Sequence, residues 1–307
     1  MEIIAELCQN HNGSRTNLLE MAKLAKRAGA SYAKIQALYS KELVHRAQFE
    51  DPNISRFGMY RPFKAELARL QKLDLSLEDE KSFVNYCLEI GIEPMITVFT
   101  KSGVERAFEA GFKKIKIASY DSTNLDLIDS VLGFATDLFI STGATTTKEV
   151  EFLCRFLSGS SSECNISLLH CKTEYPNILT SVNLNRMIWL ETFGFRVGFS
   201  DHTATFSSDG ARIPLRNLPS KMAIYLGASV LERHFTNLNP TETKDGKISV
   251  LEDDVIELKN FSELNKVQQT EYLMKYTDEK NSILGSKDYE PSVEEWWNRS
   301  YYRGRVE

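Results

Sequence analysis

The sequence predicts a single (β/α)8 TIM barrel. Three observations predict it. A unit of short apolar strand, polar or glycine-bearing turn and amphipathic helix recurs; eight such strands fit in the 307 residues; and no glycine-rich dinucleotide fingerprint follows the first strand. Strands separated by helical crossovers lie parallel, with helices covering the sheet. The chain is 42% hydrophobic, enough for one barrel core. An open doubly wound sheet is the structural alternative, but Gln9-Asn10-His11-Asn12-Gly13 stands where its phosphate loop would be.

The first strand reads Ile3 to Leu7. From Asn17 to Ala28, Leu18, Met21, Ala22, Leu24 and Ala25 recur at helical spacing, and Gly29 closes that helix. Strand two is Ser31 to Gln36. Helix 77–90 leads into strand 93–98, helix 103–110 into strand 114–118, and helix 125–132 into strand 138–141. Helix 148–157 precedes strand 166–170, and helix 183–191 precedes strand 196–199. Strand eight is Ser229 to His234, followed by helix 251–266. Two segments break the rhythm. Tyr39 to Arg61 is a polar and aromatic excursion, expected as a loop or short helices over the barrel mouth. The barrel domain is expected over 1–275, and 276–307 is a tail rich in aromatics (Tyr289, Trp296, Trp297, Tyr301, Tyr302), expected to pack on the barrel flank or on a neighbouring subunit.

Composition narrows the function. The net charge is −5 and no basic stripe occurs, which argues against a nucleic-acid partner. No stretch approaches the ~20 apolar residues of a membrane helix. The opening Met1-Glu2-Ile3-Ile4 carries no basic leader, so a cytoplasmic chain is expected. Cys8, Cys87, Cys154, Cys164 and Cys171 are scattered and form no CxxC pair; reduced, buried thiols are expected.

In a parallel barrel the strand C-termini converge on one face, where ligands bind. Lys34 and Gln36 share a side of strand two, because side chains alternate along a strand. Lys116 sits inside apolar strand four. A buried ammonium is costly unless an anion meets it. With hydroxyls at Thr97, Ser119, Ser141 and Ser200, these two lysines would cradle a phosphate and a carboxylate. The alternative is that each pairs with an internal glutamate or reaches out to solvent. His202 and His234 end neighbouring strands, so their rings can reach one divalent ion that acts as a Lewis acid on a carbonyl. General acid–base chemistry without metal is the other use of such a pair.

These residues carry a resemblance. Ile4-Ala5-Glu6, Gln9-Asn10-His11-Asn12-Gly13, Lys34-Ile35-Gln36, Lys116-Ile117-Ala118-Ser119, Leu168-Leu169-His170-Cys171, Glu174-Tyr175-Pro176, Gly198-Phe199-Ser200-Asp201-His202-Thr203 and Glu232-Arg233-His234-Phe235 occur in the order seen in sialic acid synthases. From residue 3 to about residue 250 the chain resembles the barrel domain of that NeuB-type family. The resemblance implies a metal-dependent condensation of phosphoenolpyruvate with an N-acylated amino sugar, giving a nonulosonic acid and phosphate. It implies that Lys34, Thr97, Lys116, Ser119, Ser141, Tyr175 and Ser200 hold phosphoenolpyruvate. Gln36, Asp121, Tyr175 and Asp245 would contact the sugar, and Glu6, Asp121 and His202 would serve the reacting centre. His202 and His234 would bind the metal, commonly Mn2+, with Mg2+ or Co2+ as alternatives. A homodimer is the expected assembly.

Departures accompany the match. Asp121 stands where many relatives have glutamate, and Thr173, in the substrate-binding stretch, where they often have asparagine or serine. The loop 239–246 differs from the glycine-proline-aspartate loop of sialic acid synthases. Asn298-Arg299-Ser300-Tyr301 resembles the stretch that leads into the family's antifreeze-like domain, but this sequence ends at Glu307. That domain supplies an arginine to the sugar, a role open here to Arg299, Arg303 or Arg305, unless they are solvated tail charges. A synthase of another 3-deoxy-ulosonic acid, using a different aldose, is the alternative function. A non-catalytic binding protein is the third.

Overall fold

Every second residue of the eight strands points inward, and the side chains so selected make one closed barrel. The computed structural model describes residues 1–57, 60–286 and 289–307. Its elements are β1 (Glu2–Cys8), α1 (Arg15–Arg27), β2 (Tyr32–Gln36), α2 (Phe63–Gln71), α3 (Leu77–Ile90), β3 (Glu93–Val98) and α4 (Lys101–Ala110). They continue with β4 (Lys114–Ile117), α5 (Leu125–Leu132), β5 (Asp137–Ser141), α6 (Thr147–Ser158), β6 (Asn165–Cys171), α7 (Asn185–Glu191) and β7 (Arg196–Asp201). The chain ends with α8 (Leu218–Tyr225), β8 (Val230–His234), α9 (Glu252–Glu263), α10 (Lys266–Leu273), α11 (Thr277–Leu284) and α12 (Val293–Tyr302). The strands pair in parallel in the order β1 to β8 and close, β8 on β1. The expected barrel is present.

Local sequence explains the element ends. Ser76 caps α3 in a reciprocal capping box with Asp79, and Gly91 ends that helix at φ +75°, a conformation that suits glycine. The apolar faces of the helices and the outward faces of the strands form one large core, including Ile3, Leu18, Phe83, Ile96, Val131, Leu153 and Leu231. Inside the barrel, Ile4, Tyr32, Met95, Phe139, Leu169 and Val230 make a separate apolar plug. Gly198 lets β7 and β8 close over that plug, since a Cβ there would meet Val230 O at 2.3 Å and Leu169 at 2.6 Å. Two residues further along, the inward set turns polar on seven of the eight strands, with Glu6, Lys34, Thr97, Lys116, Ser141, Ser200 and Glu232, all buried, while β6 presents Cys171. The alternation thus stacks a polar layer on an apolar floor.

The excursion after β2 folds as short 3-10 turns, Ser40–Glu42, Ala47–Phe49 and Pro52–Phe57, and its residues 58 and 59 lie outside the described residues. The tail divides: α11 packs on the barrel flank against α8 and the turn Leu179–Ser181, with Ile283 in the core. Its last helix, α12, lies across the mouth of the barrel, where Trp297, Asn298 and Tyr302 face the central cavity. No described helix is long and apolar enough to cross a membrane.

Candidate active site

The polar layer is a compact charge network. Lys34 Nζ donates to Glu6 and to Thr97 Oγ1 at 2.9 Å, with Glu232 Oε2 at 3.3 Å. Lys116 Nζ donates to Glu232 Oε1 at 2.5 Å, and Ser200 Oγ donates to the same oxygen at 2.6 Å. Both lysines therefore meet internal glutamates, the arrangement left open above. Burial works to raise the Glu232 carboxyl, yet the charges of Lys116 and Lys34 win and hold it well below the usual carboxylate range. Burial pulls Lys116 down and Glu232 offsets this only in part; for Lys34, Glu232 and Glu6 outweigh burial and raise it. Ser141 Oγ is buried beside this network with no hydrogen bond. Ser119 Oγ accepts from Gly143 N at 3.1 Å, fixing the turn after β5.

The second feature is imidazole. His202 Nδ1 lies 2.7 Å from Lys172 O, so it carries the proton and leaves Nε2 as the lone-pair nitrogen, 3.5 Å from Ser200 Oγ. The His234 ring meets it edge-on at 5.3 Å between centroids, and the Tyr175 ring covers its other side at 4.4 Å. Burial, then the neighbouring His234, lowers the His202 pKa to about 3, so the ring is neutral at physiological pH. His234 Nδ1 faces Asp245 Oδ2 at 3.3 Å. Burial would raise the Asp245 carboxyl, but His234 holds it below the ordinary range.

One cavity of about 740 Å³ unites these groups at the C-terminal end of the barrel. Of the residues expected at the site, Glu6, Lys34, Gln36, Thr97, Lys116, Ser119, Ser141, Tyr175, Ser200, His202, His234 and Asp245 line it. Asp121 and Thr173 do not. Asp121 is buried behind the wall, where burial raises its carboxyl to about 6 against the pull of Arg303 and Arg305. Thr173 turns its amide and hydroxyl to Glu295 Oε1, at 3.0 and 3.3 Å. Sequence reasoning passed over Glu232, although it shares the inward parity of His234. Of the three tail arginines offered for the sugar, Arg305 lines the cavity, while Arg299 and Arg303 do not; the rest of the rim, Arg61, Lys244, Trp297 and Tyr302, was missed, because its convergence depends on loops and tail.

The donor set suits a divalent cation: two imidazoles with a carboxylate beside them, and a neutral ring whose free nitrogen is fixed by its tautomer.

The profile of the NeuB family matches residues 21–276. The chain belongs to the NeuB family. Among similar NeuB-type proteins, the N,N'-diacetyllegionaminic acid synthase of Campylobacter jejuni is 32% identical over 236 residues, covering 76% of this chain and 67% of the relative. The corresponding synthase of Legionella pneumophila is 29% identical across 99% of this chain and 79% of its own length. The pseudaminic acid synthase of Helicobacter pylori is 29% identical over 81% of this chain and 69% of its own. A crystal structure of N-acetylneuraminic acid synthetase from Leptospira borgpetersenii shares the fold, with a TM-score of 0.68 at 24% identity, over 97% of this chain and 90% of that one.

Proposed function

We propose that this protein is a synthase that condenses phosphoenolpyruvate with an N-acylated amino sugar to give a nonulosonic acid and phosphate. One observation supports this reading most directly: two buried lysines, an unbonded buried hydroxyl at Ser141 and two histidines open onto one cavity. Lys34, Lys116, Thr97, Ser119, Ser141 and Ser200 hold the phosphate and carboxylate of phosphoenolpyruvate, as charge-assisted donors in a dry layer. Glu6 and Glu232 keep both lysines charged before the substrate enters and orient their ammonium groups. The enol carbon C3 attacks the open-chain aldehyde; water adds at C2, and phosphate leaves by cleavage of its C–O bond. A divalent ion at His202 and His234 would polarise the aldehyde. Tyr175, Gln36 and Asp245, which line the same cavity as the tail residues Trp297, Tyr302 and Arg305, would contact the sugar. The protein acts in the cytoplasm, where phosphoenolpyruvate is available, and as a homodimer.

The test is phosphate release from phosphoenolpyruvate with Mn2+ present, across N-acylated hexosamines, diacylated diamino hexoses and plain aldoses. Release with acylated amino sugars alone is the expected result. Release confined to plain aldoses would reassign the acceptor to that of another 3-deoxy-ulosonic acid synthase, and no release with any sugar would end the enzymatic reading.

A further inference from the structure

Cys8 has no part in the reaction as proposed, yet it faces the same cavity. The pairing of β1 with β2 slips between Glu6 and Cys8. Cys8 itself adopts φ +48°, a left-handed conformation unfavourable for a residue with a Cβ. Such a bulge at a barrel rim re-aims a side chain. The Cys8 amide is fixed in that orientation by donating to Glu6 Oε1 at 2.6 Å. As a result Cys8 Sγ, an imidazole nitrogen of His234 and a carboxylate oxygen of Asp245 all lie within 4.8 Å of one another. They come from β1, from β8 and from the loop after β8. His234 is 7% exposed, and its buried Nδ1 faces only the Asp245 carboxylate, with Oδ2 at 3.3 Å and no bond of good hydrogen-bond geometry. Bonds of ~2.0–2.3 Å to one ion place its ligand atoms roughly 3–4 Å apart, so small side-chain rotations complete the set.

We propose that Cys8, His234 and Asp245 form a thiolate-containing metal site, with His202 beside it, that selects Zn2+, Co2+ or Fe2+ over Mg2+. This rests on the metal-dependent reading above and replaces its two-imidazole ligand set. Thiolate and imidazole are the softer donors and suit borderline ions, whereas Mg2+ prefers oxygen alone. Binding sends the thiol proton to solvent and changes no oxidation state. Three protein ligands leave coordination positions open for a substrate oxygen.

The full chain, freed of metal with a chelator, is titrated with Co2+ in the absence of substrate. One equivalent should bring up a near-ultraviolet thiolate-to-cobalt charge-transfer band that Zn2+ abolishes and excess Mg2+ does not. Cys8→Gly suits the left-handed backbone and so keeps the fold. It should lose the band, and bind Co2+ more weakly by at least the roughly tenfold that losing an outer hydrogen-bond partner costs. A wild-type spectrum without the band, a band that persists in Cys8→Gly, or displacement by Mg2+ would each overturn the site. Because the spectrum is read without turnover, the two readings fail separately: a band without phosphate release retains the site and removes the reaction, while release without a band removes the thiolate.

Discussion

The floor and the rim of the cavity are built by different means. The floor is strand-borne. Lys34, Lys116, Glu6 and Glu232 each come from a barrel strand, are almost wholly buried and bond to one another. The rim is carried by loops and the tail, and is fastened through main-chain contacts. Val44 N donates to Arg305 O at 2.9 Å and Glu307 N to Glu42 O at 3.0 Å. Arg303 Nε donates to Tyr120 O at 2.9 Å, Asn298 Nδ2 to Thr173 O at 2.8 Å, and Tyr302 stacks on Tyr120 at 4.8 Å. The floor is fixed by the fold itself and the rim by what is appended to it. On a barrel this separates groups held by the strands from groups on loops and tail, which can change without disturbing the sheet.

The sharpest test of that division is a floor residue whose loss harms both stability and reaction. Lys116→Met leaves Glu232 buried with one cation fewer. Breaking such a pair costs about 3–5 kcal/mol of stability. Removing a preorganised donor to the reacting phosphate should lower turnover by roughly 10²–10³-fold. Denaturant unfolding and phosphate release measure the two effects. If Lys116→Met keeps more than a tenth of the wild-type rate, the strand layer is scaffolding and the comparison collapses.

A rim residue should behave otherwise. Arg305 lines the cavity with its side chain 8% exposed, and its nearest carboxylate, Glu66, is 3.6 Å away and already bonded to Arg69. Arg305→Met should raise the KM for the sugar by about tenfold, the worth of one charged hydrogen bond, while the KM for phosphoenolpyruvate stays put. Equal changes in both constants would place Arg305 over the donor and erase the distinction between floor and rim.

The same division governs what the sequence reveals. Strand periodicity exposes Lys34, Lys116, Thr97, Ser141 and His234, because parity along a parallel strand decides which side chains enter the barrel. Glu232 had the same parity and was readable by the same rule. Helix α8 escaped because Leu218 to Ile224 are buried on every side, leaving no polar face to mark a helical period. The tail was legible as aromatic but not as a wall of the cavity. Its course depends on pairings far apart in the chain, such as Glu295 with Lys172 and Arg299 with Glu149, which no local pattern encodes. Thr173 was misplaced for a related reason: its partner, Glu295, lies 122 residues away.

Asp121 gives the mildest test, and one that opposes its expected contact with the sugar. Its carboxyl ionises at 3.8 when unfolded and at about 6 in the fold, chiefly because it is buried. The folded state therefore favours the protonated form. The stability this gives is present below pH 4 and lost as pH rises through about 6. A shift of about two units corresponds to roughly 3 kcal/mol, of which a neutral amide recovers a part, on the order of 1–2 kcal/mol. Asp121→Asn should accordingly unfold at higher denaturant than wild type at pH 7.5, lose that advantage at pH 4, and turn over within about twofold of wild type, since the side chain lies behind the cavity wall rather than on it. A large rise in the sugar KM, with no gain in stability at pH 7.5, would move Asp121 back into the site and make the wall at Tyr120 part of the floor.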